Sequence, residues 1–278
     1  MALNAALGEI VEYRGIEGLV AAEVLTDNNV DGEGYTTGSV FSIAGVAEIA
    51  RTTESSNEAH YYDNMPAVVV SSTAADEVTL TVSAIPLEVI AKITGQNYDS
   101  TTGSLIEGPR DVKYFAIGYK TKKTNGDEVY VWRYKGTFNI PDQTNATEDD
   151  GTDANGQELT FTGISTTHKF TKTGKGAKAI NVDTGLDLAD VENFFDEVTT
   201  PDSLTAKTQY TLTITQAENT TVIVLRNGYA LSTGANIAAG DILYIYVTGG
   251  TLTVNSEAFT SGDTFTVTGN TTIVSTAG

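Results

Sequence analysis

Apolar and polar residues alternate strictly over "EVTLTVSA" (77–84). Val78, Leu80 and Val82 fall on one side, Thr79, Thr81 and Ser83 on the other. A period of two marks a strand with one buried face. "QELTFTGISTTHKF" (157–170) alternates in the same way, and "AVVVSS" (67–72) is a short β-branched run. The period changes at "IPLEVIAKITG". Leu87, Ile90, Ala91 and Ile93 share one face at helical spacing, Glu88 and Lys92 stand four apart, Pro86 suits the first turn and Gly95 the stop. "DLADVENFFDEV" (187–198) predicts a second short helix, with Leu188, Val191, Phe194 and Val198 on one face and Asp187 as its N-cap.

"KYFAIGYKTKKTNGDEVYVWRYKGTFNIPD" (113–142) reads as a β-hairpin. Asn125-Gly126 is the dipeptide of a type I′ turn, and Pro141 ends the second strand. Centring the turn on that pair sets Lys123 opposite Glu128, Tyr119 opposite Trp132 and Ile117 opposite Tyr134. One face is then aromatic and apolar, while Lys120, Arg133 and Lys135 lie on the other. Residues 27–60 hold Gly, Ser, Thr and acids with little periodicity, and predict a long loop or arm that orders against a neighbour, with "SVFSIAGVAEIA" in its middle open to a strand pair broken by Gly. The acidic stretch "NATEDDGTDANGQE" (145–158) reads as a solvated connection between strands.

The texture changes after "TTPDSLTAKT". "QYTLTITQ", "TTVIVLRNG", "DILYIYVTGG", "TLTVNSEAF", "GDTFTVTG" and "NTTIVSTAG" are short strands at regular spacing with turn residues between them, the pattern of a small β-sandwich. The expected organisation is a mainly β chain: an antiparallel β-sandwich or split barrel with short flanking helices over 1–200, a linker over 201–208, and an immunoglobulin-like β domain over 209–278.

The net charge of −20 adds a constraint. Residues 1–205 carry 14 Lys and Arg against 32 Asp and Glu, while residues 206–278 carry 2 against 4. So acidic a surface repels phosphate and disfavours binding to nucleic acid. The chain has no Cys, which excludes disulfides and thiolate chemistry. The first residues, "MALNAALGEIVEYRG", lack the basic and apolar regions of a secretory signal, and no apolar run reaches the length of a membrane span. The expectation is a protein made inside a cell, without membrane insertion.

Catalytic chemistry finds little footing. There are two histidines, His60 and His168, and neither a G-x-S-x-G elbow nor a Walker sequence. "GEGYTTG" (32–38) is one residue too long for a dinucleotide fingerprint. Aligning an EF-hand loop on Asp153, Asn155 and Gly156 puts Gly151 and Thr162 at the first and twelfth ligand positions, and both are unsuitable. The reading is therefore no enzyme, no metal and no cofactor. The sequons at Asn145, Asn219 and Asn270 are what chance supplies in a Thr-rich chain.

The ordered set "YYDNMPAVVVSS", "EVTLTVSAIPLEVIAKITGQ", the Tyr-rich hairpin and "QELTFTGI" resembles the major tail proteins, or tail tube proteins, of bacteriophages with long non-contractile tails. The similarity is clearest over residues 60–165 and weaker from about 10 to 200. Residues 206–278 lie outside it and look like an added β domain. The resemblance implies a structural virion protein made in the host bacterial cytoplasm. Hexameric rings of such subunits stack into a tube around an acidic channel that conducts DNA. Its partners would be further copies of itself, the tape measure protein, and the tail terminator and distal tail proteins, with DNA passing without specific binding. Candidate lumen or interface residues are Asp27, Asp31, Glu33, Glu54, Glu58, Asp149, Asp150 and Asp153. The competing readings are the inner tube of a contractile injection system and a two-domain carbohydrate-binding adhesin.

Overall fold

The computed structural model describes residues 11–30, 34–62, 64–145 and 156–278. The chain forms two compact units. The first comprises Met1–Asp183 and Val191–Leu204, and the second Thr184–Asp190 and Thr205–Gly278. The protein is mainly β, with several antiparallel sheets.

The strands of the first unit are β1 (Tyr13–Asp27), β2 (Tyr35–Thr37), β3 (Phe41–Ser42), β4 (Val46–Tyr62), β5 (Met65–Val82), β6 (Asn97–Asp99), β7 (Ser104–Ile106), β8 (Phe115–Lys123), β9 (Glu128–Phe138), β10 (Asp142–Gln143), β11 (Gln157–Ile164) and β12 (Ala179–Asp183). The main sheet runs β2-β1-β8-β9-β11-β5-β4, and β3, β10 and β12 pair with β1, β11 and β9. Ile16 on β1, next to one end of that path, and Ile49 on β4, at the other end, both pack against Tyr119, Val129 and Val131. The sheet is thus curled into an open barrel. Its core holds Leu19, Val78, Leu80, Phe115, Leu159 and Phe161.

The one α-helix among the described residues, α1 (Leu87–Thr94), follows the predicted pattern, with Pro86 just before it and Gly95 as a left-handed C-cap. Ile90, Ala91 and Ile93 are buried, but Leu87 is exposed. Gly95 is required twice over: its φ is +71°, and a Cβ there would lie 2.0 Å from the Asp111 carbonyl oxygen. Arg110 locks the helix end to β9, donating to Thr94 O and Phe138 O at 2.8 Å each.

Three expectations are corrected. First, no α-helix forms over 187–198. Asp187 has a φ of +50° and lies in the second unit, and the residues after Val191 form turns. The Phe194 carbonyl accepts from the Trp132 indole at 2.8 Å and from the Thr199 hydroxyl at 2.9 Å, while Phe195 stacks on Tyr130. Packing of these two aromatics on β9 overrides the helical spacing.

Second, the hairpin register is shifted by one residue. Lys122 pairs with Glu128, Tyr119 with Val131, Gly118 with Trp132 and Ile117 with Arg133. Gly126 has positive φ and Asn125 does not. The bonds Lys123 N–H to Asp127 O and Gly126 N–H to Lys123 O close a three-residue loop in place of the two-residue type I′ turn. A slip of one residue exchanges the faces. Trp132 now sits against Gly118, where a Cβ would lie 3.0 Å from the indole, and Arg133 points to the opposite face.

Third, of the loop and arm alternatives for 27–60, the continuous loop is not what forms. The segment contains β2, β3 and most of β4, which pairs with β5 from Val46↔Val82 to Tyr62↔Met65 with register shifts along the way.

The second unit contains β13 (Gln209–Thr215), β14 (Thr221–Arg226), β15 (Tyr229–Leu231), β16 (Asn236–Ala238), β17 (Ile242–Thr248), β18 (Gly250–Val254), β19 (Glu257–Phe259), β20 (Thr264–Thr266) and β21 (Thr271–Ala277). They form two sheets, β16-β13-β21-β18-β19 and β15-β14-β17-β20, around Leu212, Val224, Leu243, Ile245, Leu252 and Ile273. The β13–β21 pair is parallel.

Candidate functional site

Two features of the first unit stand apart from its packing: a two-stranded arm, and a cavity at the arm's base.

The arm begins where β5 loses its second neighbour. β11 pairs with β5 only from Gln157↔Val82 to Gly163↔Asp76. Beyond Asp76, β5 continues to Met65 with β4 alone. Every side chain described over 54–75 is exposed, including Glu54, Glu58 and the apolar Tyr62, Met65, Val68 and Val69. A ribbon of this kind has no core of its own and is marginal in isolation. The arm portion of β4, "ESSNEAHYY", lacks a period of two because its described side chains meet solvent on both faces.

The cavity lies where the barrel divides. One edge of β9 is shared: β11 pairs with Lys135–Phe138 and β12 with Val129–Arg133. Between β12 and the departing β5 a space of about 900 Å³ opens, lined by apolar residues such as Ile16, Ile49, Tyr119 and Val131 and by a charged group. In that group Arg133 donates to Asp76 at 2.7 Å, with both side chains buried. Lys178 reaches Asp76 at 3.0 Å and also bonds Ala74 O. Thr53 donates to Asp76 at 2.8 Å, and Arg51 stands 4.0 Å away with its side chain half exposed. Three cations therefore face one carboxylate. Burial works to raise the pKa of Asp76, but the hydrogen bonds of Lys178 and Thr53 and the charges of Lys178 and Arg133 hold it below the ordinary value. The Nε of Arg133 is buried and has no hydrogen-bond partner.

Of the residues expected at a lumen or interface, Asp27 is a buried brace. Its carboxylate accepts from Thr167 N at 2.9 Å, His168 N at 2.8 Å and Lys135 Nζ at 2.5 Å, fastening the 167–168 segment to the end of β1. Asn29 extends the brace to Thr167 O and Lys169 N. Burial would raise the pKa of Asp27; these bonds, led by His168 N–H and Lys135, hold it low. Glu54 and Glu58 lie on the exposed arm. Asp31, Glu33, Asp149, Asp150 and Asp153 lie outside the described residues, as does most of the acidic 145–158 stretch.

Arg51, Asp76, Arg133 and Lys178 did not emerge from sequence patterning. The hairpin register would have revealed Arg133, since a one-residue slip moves it from the solvent face to the interior. In the second unit, Tyr229, Tyr244 and Tyr246 present exposed aromatic surface. All three are at least 40% exposed, Tyr244 and Tyr246 alternating with buried Leu243 and Ile245.

His168 Nδ1 lies 3.0 Å from Asn28 O, and His60 lies exposed on the arm. Among the described residues no three His, Asp or Glu side chains converge as a metal site would require, and no helix is long and apolar enough to cross a membrane. No curated protein matches the chain. The family model described as phage tail tube protein matches residues 23–199.

Proposed function

The chain belongs to the phage tail tube protein family, a structural component of the virion tail, and we propose that its copies form hexameric rings that stack into a tube conducting DNA. The arm carries this reading. Two strands that share no core within the subunit acquire one when a neighbouring copy covers them, and the same contact hides edges that otherwise invite aggregation. A contact between unlike surfaces of identical copies closes into rings or extends into filaments, according to the rotation it imposes.

The net charge of −18 on residues 1–205 suits a conduit. Cationic walls would hold the duplex by releasing its counterions, whereas acidic walls let it pass. In this reading the acids of the arm and of the 145–158 segment line the channel or meet the next ring. Its partners in this reading are further copies of itself, the tape measure protein, and the tail terminator and distal tail proteins. Residues 209–278 form an immunoglobulin-like decoration outside the tube. The reaction chemistry of an enzyme has no part in this account.

Sedimentation of the purified chain over a range of concentrations tests the assembly. Species at ring mass and above are expected; a monomer at every concentration contradicts the reading.

A further inference from the structure

We propose that the cavity between β5 and β12 is a receptor for a carboxylate side chain of a second copy of this chain, delivered by that copy's arm. The proposal rests on the self-assembly proposed above and names where one copy grips the next.

The receptor is built for an anion. Arg51, Arg133 and Lys178 surround the single carboxylate of Asp76, an excess of positive charge in a chain of net charge −20. Arg133 is fixed by its bond to Asp76, yet its Nε is buried without an acceptor. Buried donors are nearly always satisfied, so an orphan of this kind points to a missing partner. A guanidinium binds carboxylates through a rigid fork of donors, and Arg133 has part of that fork free. The walls beside it, Ile16, Ile49 and Tyr119, suit an apolar neighbour of the incoming acid.

The arm has the complementary chemistry. Residues 54–75 include Glu54, Glu58 and Asp63 and no Lys or Arg. Tyr62, Met65, Val68 and Val69 expose apolar surface on the same ribbon. The arm of the same copy cannot deliver Glu58. Arg51 and Glu58 are on one strand, and at roughly 3.3 Å per residue they stand about 23 Å apart. Glu58 can therefore reach such a cavity only in another copy, in a head-to-tail contact.

Charge exchange tests the pairing in the full-length chain. Arg51→Glu reverses the exposed cation at the cavity, and Glu54→Lys with Glu58→Lys reverses the arm. All three positions are exposed, so the monomer fold should persist, and circular dichroism checks that it does. Should Arg51→Glu lose the fold, Lys178→Gln replaces it, keeping a donor for Ala74 O and Asp76. Each variant alone is expected to self-associate at least tenfold more weakly than wild type, and an equimolar mixture of the Arg51→Glu and arm variants to recover association. With Lys178→Gln as the cavity variant, the weakening alone is the readout. A cavity variant that assembles like wild type overturns the proposal, as does a charge-reversed mixture that stays dissociated. Either result leaves tube formation by wild type standing. Failure of wild type to associate removes the assembly reading itself, and the receptor with it.

Discussion

Arg133 Nη1 lies 2.7 Å from Asp76 Oδ2, with the two side chains 6% and 4% exposed. The pair bridges the point where β5 leaves the barrel for the arm and where β12 replaces β11 along β9. It ties the arm's root to β9, in the body of the barrel.

Replacing Asp76 by Ala leaves Arg133 buried without its counterion. A broken buried pair costs about 3–5 kcal/mol. Chemical denaturation of the Asp76→Ala chain should show a loss of that order in the first unit. Asp76→Asn, which can still accept from Thr53 and Lys178, should lose less. Equal stability of Asp76→Ala and wild type would mean that the pair does not hold the fork.

Asp27 and Asp76 both have folded pKa values below the ordinary 3.8. Their contribution to stability is present above the unfolded value and is lost as pH falls through the folded one. The Asp27→Asn chain should therefore be less stable than wild type at neutral pH, and the gap should narrow only below about pH 4. Thermal unfolding across that range measures it. A gap independent of pH would show that the charge of Asp27 is immaterial.

The second unit contains an opposed carboxyl pair. Burial and the neighbouring Asp241 raise the pKa of Asp187, although Lys207 bonds it at 2.6 Å. Burial also opposes charge on Asp241, but Asp187, the Ala238 N–H at 2.8 Å and Arg226 at 2.9 Å hold its pKa low. A raised folded pKa adds stability at low pH that is lost as pH rises, while a lowered one adds stability at higher pH that is lost as pH falls. Asp241→Asn should cost roughly 1.5–3 kcal/mol at pH 7, the range for a hydrogen bond to a charged group. Asp187→Asn should cost clearly less. Denaturant titration of both full-length variants checks the order, and a reversed order contradicts the assignment.

Deleting residues 206–278 should leave tube formation intact, because the family match ends at residue 199. Electron microscopy of the truncated chain provides the test. Loss of tubes from a truncated chain that still folds would place the second unit in the ring interface.

Much of the architecture was legible in the sequence because one-faced elements declare themselves. The alternation of Val78, Leu80 and Val82 and the helical face of Ile90, Ala91 and Ile93 each report a single buried side. Strand β9 is buried on both sides, with Trp132 against Phe195 and Val131 against the cavity, so its composition could not reveal the one-residue register difference. The arm was obscured for the opposite reason, since none of its described side chains over 54–75 is buried within the subunit. Both difficulties meet at Arg133. Its place in the interior follows from hairpin register, and its companions Arg51, Asp76 and Lys178 come from three other segments of the chain.

Electron microscopy of concentrated, purified full-length protein tests the central claim most directly. The account predicts rings with six-fold rotational symmetry, viewed end-on, and hollow tubes built by stacking them. Monodisperse single subunits at high concentration, with neither rings nor tubes, would contradict it.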